Sequence, residues 1–281
     1  MPELPEVQTV IDTLRPLVIG KTINTIEIVY PPIIENREDE FQQKVCCRKV
    51  VDLSRKGKFI IIHLDQGYLI IHLRMEGKFY VTSSEHAWVT NKHTHARFYL
   101  DDGMVWTFND VRKFGRIGYV DQLDQHRGLS RLGYDVFDEQ LSASYLFSVA
   151  RTRTLEMKNF LLDQTIMAGI GNIYANEILF DARISPFQAA NTIKLREFET
   201  LLESSRKILA LAFKQGGTSI RSYTSSLGVT GLFQQSLMVH GKEGEPCEQC
   251  STRIVRKKQA GRSSYYCPNC QPWRKRKGRT R

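Results

Sequence analysis

Apolar side chains recur at Val7, Val10, Ile11, Leu14, Leu17 and Val18, three and four positions apart, with Pro5 near the start of the run and Gly20 after it. That spacing predicts an amphipathic helix over residues 3–19 that buries one face. The pattern then changes to short runs rich in β-branched and aromatic residues at 22–30, 58–64, 68–74, 77–82, 95–100, 104–109 and 115–120. Turn signals such as Asp65-Gln66-Gly67 and Asp101-Asp102-Gly103 divide them, and so many short strands in series predict an antiparallel β-sandwich. Between Gly128 and Gly133 the register changes again. Helical spacing dominates beyond it, and its longest stretch, about 194–215, carries Leu195, Phe198, Leu201, Leu202, Ile208, Leu209 and Leu211. Gly216 and Gly217 close that helix, and the Ser-, Thr- and Gly-rich segment 217–231 reads as an exposed, mobile loop. No internal repeat is visible.

A chain of 281 residues is long enough for two domains that each bury a core. The fold class expected is therefore α+β, an N-terminal antiparallel β-sandwich flanked by helices followed by a helical C-terminal domain. With 41% hydrophobic residues the chain has enough apolar surface to fold rather than stay disordered. No apolar run reaches the length of a bilayer span. The opening residues, Met1 to Val7, lack the basic start and apolar stretch of a secretory signal, so the expected compartment is the reducing cytoplasm, where cysteines do not pair as disulfides.

The net charge of +10 is not spread evenly. Residues 247–281 hold eleven Lys and Arg against one acidic residue, Glu248, and the remainder of the chain balances at 29 of each sign. Such a concentrated positive field suits a polyanion, nucleic acid above all. For the run that begins at Arg274, a merely solvated tail is an equal reading.

Cys247, Cys250, Cys267 and Cys270 form two C-x2-C knuckles separated by sixteen residues. Two knuckles joined by a hairpin can surround one tetrahedral Zn2+, and four thiolates leave no open coordination position, so the metal is expected to be structural. A redox pair would need one knuckle only. The hairpin between them runs from Arg253 to Lys258 and from Arg262 to Tyr266, basic and aromatic together, a fitting surface for phosphates. Cys46 and Cys47, as neighbours in an expected strand, would face opposite ways and read as buried free thiols.

Four motifs in order carry a resemblance. The start Met1-Pro2-Glu3-Leu4-Pro5-Glu6-Val7, the loop Asp110-Val111-Arg112-Lys113-Phe114-Gly115, the segment Gly169-Ile170-Gly171-Asn172-Ile173-Tyr174-Ala175-Asn176-Glu177 and the double C-x2-C ending are similar to those of the formamidopyrimidine-DNA glycosylases. The resemblance spans the chain, and only the basic tail after Cys270 departs from the pattern. It implies a helix-two-turn-helix module and a zinc-finger β-hairpin, with domains at 1–133 (catalytic β-sandwich), 134–235 (helix-two-turn-helix), 236–272 (zinc finger) and 273–281 (basic tail). It also implies a bifunctional glycosylase and apurinic-site lyase of base-excision repair, acting as a monomer on damaged double-stranded DNA in the bacterial cytoplasm and nucleoid, with one Zn2+ and no membrane partner.

The chemistry can be followed from the residues. Once Met1 is removed, Pro2 presents a secondary amine with a pKa of roughly 8, partly neutral at pH 7. Its attack on the sugar C1′ displaces the base and leaves an iminium, an electron sink that acidifies the neighbouring sugar hydrogen and lets the 3′ phosphate depart by β-elimination. The resemblance makes Glu3 the general acid and base, with Glu6 supporting the pocket, although Glu3 taken alone reads as a carboxylate favoured by a helix start. It makes Lys58 a phosphate contact that assists β-elimination, and Arg262 the guanidinium that grips phosphates and aids δ-elimination. Met75, Arg112 and Phe114 match the trio that fills the space left by an everted nucleotide, though Met75 and Phe114 taken singly read as core. Asn172, Lys158, His93 and Arg153 match phosphate-binding positions, and the other histidines read as structural. The loop 217–231 corresponds to the segment that closes over a flipped purine. A related endonuclease specific for oxidised pyrimidines usually has Gly where this chain has Leu4, and a non-enzymatic zinc-ribbon DNA-binding protein would leave the Met-Pro-Glu start unexplained.

Overall fold

The computed structural model describes residues 1–83, 91–218 and 231–274, which form two compact units. Unit 1 comprises Met1–Arg131 with Phe213–Gln234, and unit 2 comprises Leu132–Ala212 with Gln235–Arg281. Of the region expected as one module at 134–235, the end of the longest helix and, among the described residues after it, 215–218 and 231–234 group with unit 1. The zinc hairpin, expected as a separate body, belongs to unit 2. Of the loop 217–231, residues 219–230 lie outside the described residues, as does the tail beyond Arg274.

Unit 1 begins with α1 (Leu4–Val18), whose buried face is Leu4, Val7, Val10, Ile11, Leu14 and Val18. Eight antiparallel strands follow: β1 (Thr22–Ile28), β2 (Arg48–Lys56), β3 (Phe59–Leu64), β4 (Tyr68–His72), β5 (Lys78–Ser83), β6 (Thr94–Leu100), β7 (Met104–Asn109) and β8 (Arg116–Val120). Their order is β5-β7-β6-β1-β2-β3-β4-β8. β1 and β2 meet only at Thr22–Lys49 and Ile23–Arg48, so two four-stranded halves are joined at a narrow seam. Both halves and α1 bury side chains in one core: Phe79, Phe98, Trp106 and Phe108 from one, Leu53, Ile60, Ile62, Leu69 and Ile71 from the other. The expected sandwich is thus made of the two halves of one sheet that share a core.

Between β1 and β2 lies α2 (Glu38–Val45), and Cys46 caps it while Cys47 adopts φ 61° and is exposed. The pair is therefore not in a strand and Cys47 is not buried; burial pushes the Cys46 thiol up. After β8 a four-residue helix, α3 (Arg127–Ser130), ends this part of unit 1.

Unit 2 is mostly helical, with α4 (Ala143–Arg151), α5 (Met157–Leu162), α6 (Asn172–Asp181) and α7 (Leu195–Lys214), whose last two residues fall in unit 1. β9 (Tyr134–Asp135) and β10 (Met167–Ala168) form a short parallel pair. The basic hairpin is β11 (Val255–Gln259) and β12 (Arg262–Tyr266), joined by Ala260 and Gly261. Both turn residues have positive φ, 45° and 78°, which is the two-residue turn whose twist matches a hairpin. No helix among the described residues is long and apolar enough to cross a membrane.

Candidate active site and nucleic-acid interface

The start of α1 is organised by one carboxylate. Glu6 Oε2 accepts the backbone N–H of Glu3 at 2.9 Å, while Oε1 accepts the N–H of Thr218 at 2.7 Å and its hydroxyl at 3.1 Å. Glu6 is buried, as are Pro2, Glu3 and Thr218. A single side chain thus fixes the first turn of the chain and the point where segment 219–230 departs. Glycine is needed at 217, where φ is 77° and a Cβ would lie 2.6 Å from Glu6 Oε1. The far end of that segment is pinned to the same place, since Phe233 N–H donates to Gly217 C=O at 3.0 Å and Leu232 N–H to Gln215 C=O at 2.9 Å. With Met1 attached, the Pro2 nitrogen is a tertiary amide; nucleophilic chemistry there requires removal of Met1.

Lys58 sits in the tight turn between β2 and β3, after Gly57 with φ 58°, and is buried. Beside it is a residue that the sequence reading passed over as structural. His72, at the end of β4, pairs across the sheet with Phe59 and feels the positive charge of Lys58. Burial, aided by the charges of Arg74 and Lys58, pushes its imidazole down to about 3, so it is neutral at working pH. Its Nδ1 accepts the N–H of Arg74 at 3.0 Å, which leaves the proton on Nε2. The sequence signal was weak, a histidine ending an apolar strand.

The loop after β7 is built on Asp110, which is almost fully buried. Its carboxylate accepts three backbone N–H groups, from Arg112 at 3.0 Å, Phe114 at 2.8 Å and Gly115 at 2.7 Å. Its own N–H donates to His93 C=O at 2.9 Å, and its C=O is 2.7 Å from His95 Nε2. Held this way, the loop exposes Arg112 and Phe114, with the guanidinium 4.8 Å from the ring centroid. Phe114 is 47% exposed, a poor position for a core residue and a good one for a wedge. Met75 lies half-buried in the turn between β4 and β5. That turn and the Asp110 loop flank one ring, since a Cβ at Gly77 would lie 3.0 Å from Phe108 Cζ and one at Gly115 only 2.4 Å from the same atom. The fold therefore brings the expected trio to one edge of unit 1. His93, partly buried, adjoins it.

In unit 2 the turn between α5 and α6 is held by Gln164, whose amide accepts from Gly169 N–H at 3.0 Å and donates to Ile170 C=O at 2.9 Å. Gly171 then caps α6, and Asn172 is its first residue, with a buried Oδ1 that has no hydrogen-bond partner among the described residues. At the other end of the motif, Glu177 accepts N–H groups from Met238 (2.7 Å), Val239 (3.1 Å) and His240 (2.7 Å), tying α6 to the chain entering the metal hairpin. Lys158 does not reach outward. Its ammonium donates to Ser263 C=O at 2.6 Å and Ser264 Oγ at 2.9 Å, so it bolts β12 to α5. Arg153 is held by Asp163 at 2.9 Å. Arg262, by contrast, is exposed at the hairpin tip and has no side-chain partner among the described residues.

The four cysteine sulfurs lie within 4.8 Å of one another. Tetrahedral zinc with thiolate bonds of about 2.3 Å requires sulfurs roughly 3.8 Å apart. Cys247 and Cys270 are 3.9 Å apart, and Cys250 is 3.4 Å from both Cys267 and Cys270. Burial and the neighbouring sulfurs push the Cys270 thiol up to about 12, so four thiolates this close need a cation among them. The donor set fits zinc and holds one Zn2+ in a structural role.

The comparisons with known proteins fall on the same three regions. Residues 1–117 match the formamidopyrimidine-DNA glycosylase N-terminal domain, 132–224 its H2TH domain, and 244–272 the zinc finger found in FPG and IleRS. The formamidopyrimidine-DNA glycosylase of Oceanobacillus iheyensis is 40% identical over 97% of this chain and 98% of its own length. The chain belongs to the formamidopyrimidine-DNA glycosylase family. The glycosylase of an Exiguobacterium species is 41% identical over 96% of this chain and 99% of its own. Among solved structures, a mutant Lactococcus lactis glycosylase with a Fapy-dG-containing DNA is 35% identical with a TM-score of 0.90, over 96% of this chain and 100% of that one. The Lactococcus lactis glycosylase with an abasic-site DNA gives 0.89 at 35% identity, over 96% and 99%. As a formamidopyrimidine-DNA glycosylase, the chain is a DNA repair enzyme with a resident zinc finger.

Proposed function

We propose that the chain excises oxidised purines, 8-oxoguanine and ring-opened formamidopyrimidines, from duplex DNA and then cuts the backbone through a covalent Pro2 intermediate. The observation that carries this reading is the Glu6 carboxylate, which fixes Pro2-Glu3 and the root of segment 219–230 together. After loss of Met1, the Pro2 nitrogen donates its lone pair to C1′ and the C1′–N bond breaks with its electrons going to the base. Glu3 delivers the proton that the departing base or ring oxygen takes up. The Pro2 N–H proton then passes to the Glu3 carboxylate and on to O4′ as the C1′–O4′ bond breaks with its electrons going to that oxygen, and the ring-opened sugar is left as an iminium. Loss of a C2′ proton sends electrons toward that sink, and the C3′–O bond breaks to release phosphate.

Lys58, and beside it the neutral Nε2–H of His72, hold the phosphate next to the reacting sugar. Arg262 offers two parallel N–H donors to phosphates and assists the second elimination. Asn172, at the start of α6, and His93, at the base of the Asp110 loop, contact the backbone, whereas Lys158 and Arg153 act by holding the hairpin and the α5 turn. Phe114 and Met75 fill the gap left by the everted nucleotide and Arg112 faces the orphaned base. The enzyme works as a monomer on nucleoid DNA in the cytoplasm. Comparison of duplexes containing 8-oxoguanine opposite cytosine with duplexes containing thymine glycol tests the substrate class. Faster excision of 8-oxoguanine is expected, and preference for thymine glycol would reassign the chain to oxidised pyrimidines.

A further inference from the structure

Phe59 follows Lys58 at the start of β3, and its ring is only half-buried, because it lines a cavity of about 310 Å3 shared with Glu35, Arg74, Gln125, His126 and Arg127. It stands outside the apolar core of the sheet, so packing on all sides does not hold it. Two imidazoles hold it instead. His72 meets the ring edge-on, with centroids 4.7 Å apart at 86°, and His126 meets it at 5.4 Å and 73°. His126 is fixed at both nitrogens. Its Nδ1 accepts the Leu129 N–H at 3.2 Å, and its Nε2 lies 3.0 Å from Glu35 Oε2, the donor geometry of one defined tautomer.

The backbone is shaped around this row of groups. A Cβ at Gly128 would come within 2.8 Å of His126 Cε1 and 2.9 Å of Phe59 Cζ, and a Cβ at Gly118 within 2.8 Å of Glu35 Oε2. The order Glu35, His126, Phe59, His72 thus runs from the cavity to the turn that carries Lys58. His72 is the one member to which the mechanism assigns a phosphate.

We propose that Glu35 and His126 are positioning residues for the phosphate grip: acting through Phe59, they hold His72 in the orientation in which it donates beside Lys58. This rests on the reading of His72 as a phosphate donor. Loss of the row leaves the chemistry at Pro2 untouched and weakens capture of the duplex.

Steady-state cleavage of an abasic-site duplex by His72→Ala, His126→Leu, the double variant, Glu35→Gln and Glu35→Ala tests it. His126→Leu should raise KM about three- to tenfold with kcat little changed, and the double variant should be no worse than His72→Ala alone, the signature of residues acting through one another. Glu35→Gln, which still accepts the His126 N–H, should stay near the parent, while Glu35→Ala should follow His126→Leu. Should His126→Leu fail to fold, the two Glu35 variants carry the comparison. Independent, multiplicative losses in the double variant, or an unchanged KM in both His126→Leu and Glu35→Ala while His72→Ala raises it, would overturn the proposal. If His72→Ala itself leaves KM unchanged, the phosphate reading of His72 fails, and the positioning role falls with it.

Discussion

Asp110 shows how much one buried carboxylate can determine. Its side chain satisfies three backbone donors that would otherwise be unpaired, and the loop it shapes is the one that exposes Arg112 and Phe114. Asp110→Ala should cost about 1–3 kcal/mol in stability and weaken binding to a lesion duplex without altering zinc content, as measured by urea unfolding and by titration with labelled DNA. Sequence alone displayed this residue within a family-like motif but gave no reason for it. An Asp heading a tight turn that ends in Gly was the available signal.

Two half-buried histidines set the acid limit. His72 is pushed down to about 3 and His240, by burial with the charge of Lys158 behind it, down to about 4. Both bind protons more readily in the unfolded chain, so the stability gained by keeping them neutral is present above pH 6.5 and is lost as pH falls toward those values. At pH 5 the loss should be about 2 kcal/mol for each. Urea midpoints followed from pH 7 to pH 5 should fall, and His72→Gln and His240→Gln should each flatten that fall; an unchanged slope in both would contradict the assignment.

At the scale of elements, periodicity was legible where one face is apolar and the other polar. α1, α7 and strands β3 to β8 lie within a few residues of the expected bounds, because their burial follows a regular spacing. α2 and β2 were harder to see. β2 buries only Val50 and Leu53 of nine residues, most of them charged or polar, and α2 buries only Phe41 and Val45. Their place is set by neighbours, which also explains why Cys46 and Cys47, expected in a strand, end a helix instead. The metal knuckles were legible in full, since their spacing is local. What spacing could not show is that the hairpin is bolted to α5 through Lys158 and to Glu156 through Gln259. Zinc between the two knuckles, which flank β11 and β12, is expected to add to those contacts in ordering the hairpin and, with it, the exposed Arg262. Removal of the ion by a chelator should weaken DNA binding about tenfold or more by loosening that surface; unaltered affinity after verified loss of the metal would refute the link.

At the scale of the molecule, the chain's positive excess lies wholly beyond residue 246, whereas Pro2, Glu3 and Glu6, on which the proposed chemistry draws, lie at its other end. In that proposal polyanion affinity and covalent chemistry are encoded separately, and neither alone makes a glycosylase. The family motifs were legible end to end; the division of the chain into units was not, since the last two residues of α7 and, among the described residues after it, 215–218 and 231–234 pack with unit 1. Borohydride reduction during turnover of a lesion duplex, with the intact chain weighed by mass spectrometry, tests the central claim most directly. The expected result is a protein lacking Met1 that is trapped covalently on DNA, with trapping abolished in Pro2→Gly. An active preparation that yields no adduct, or an adduct undiminished in Pro2→Gly, would contradict it.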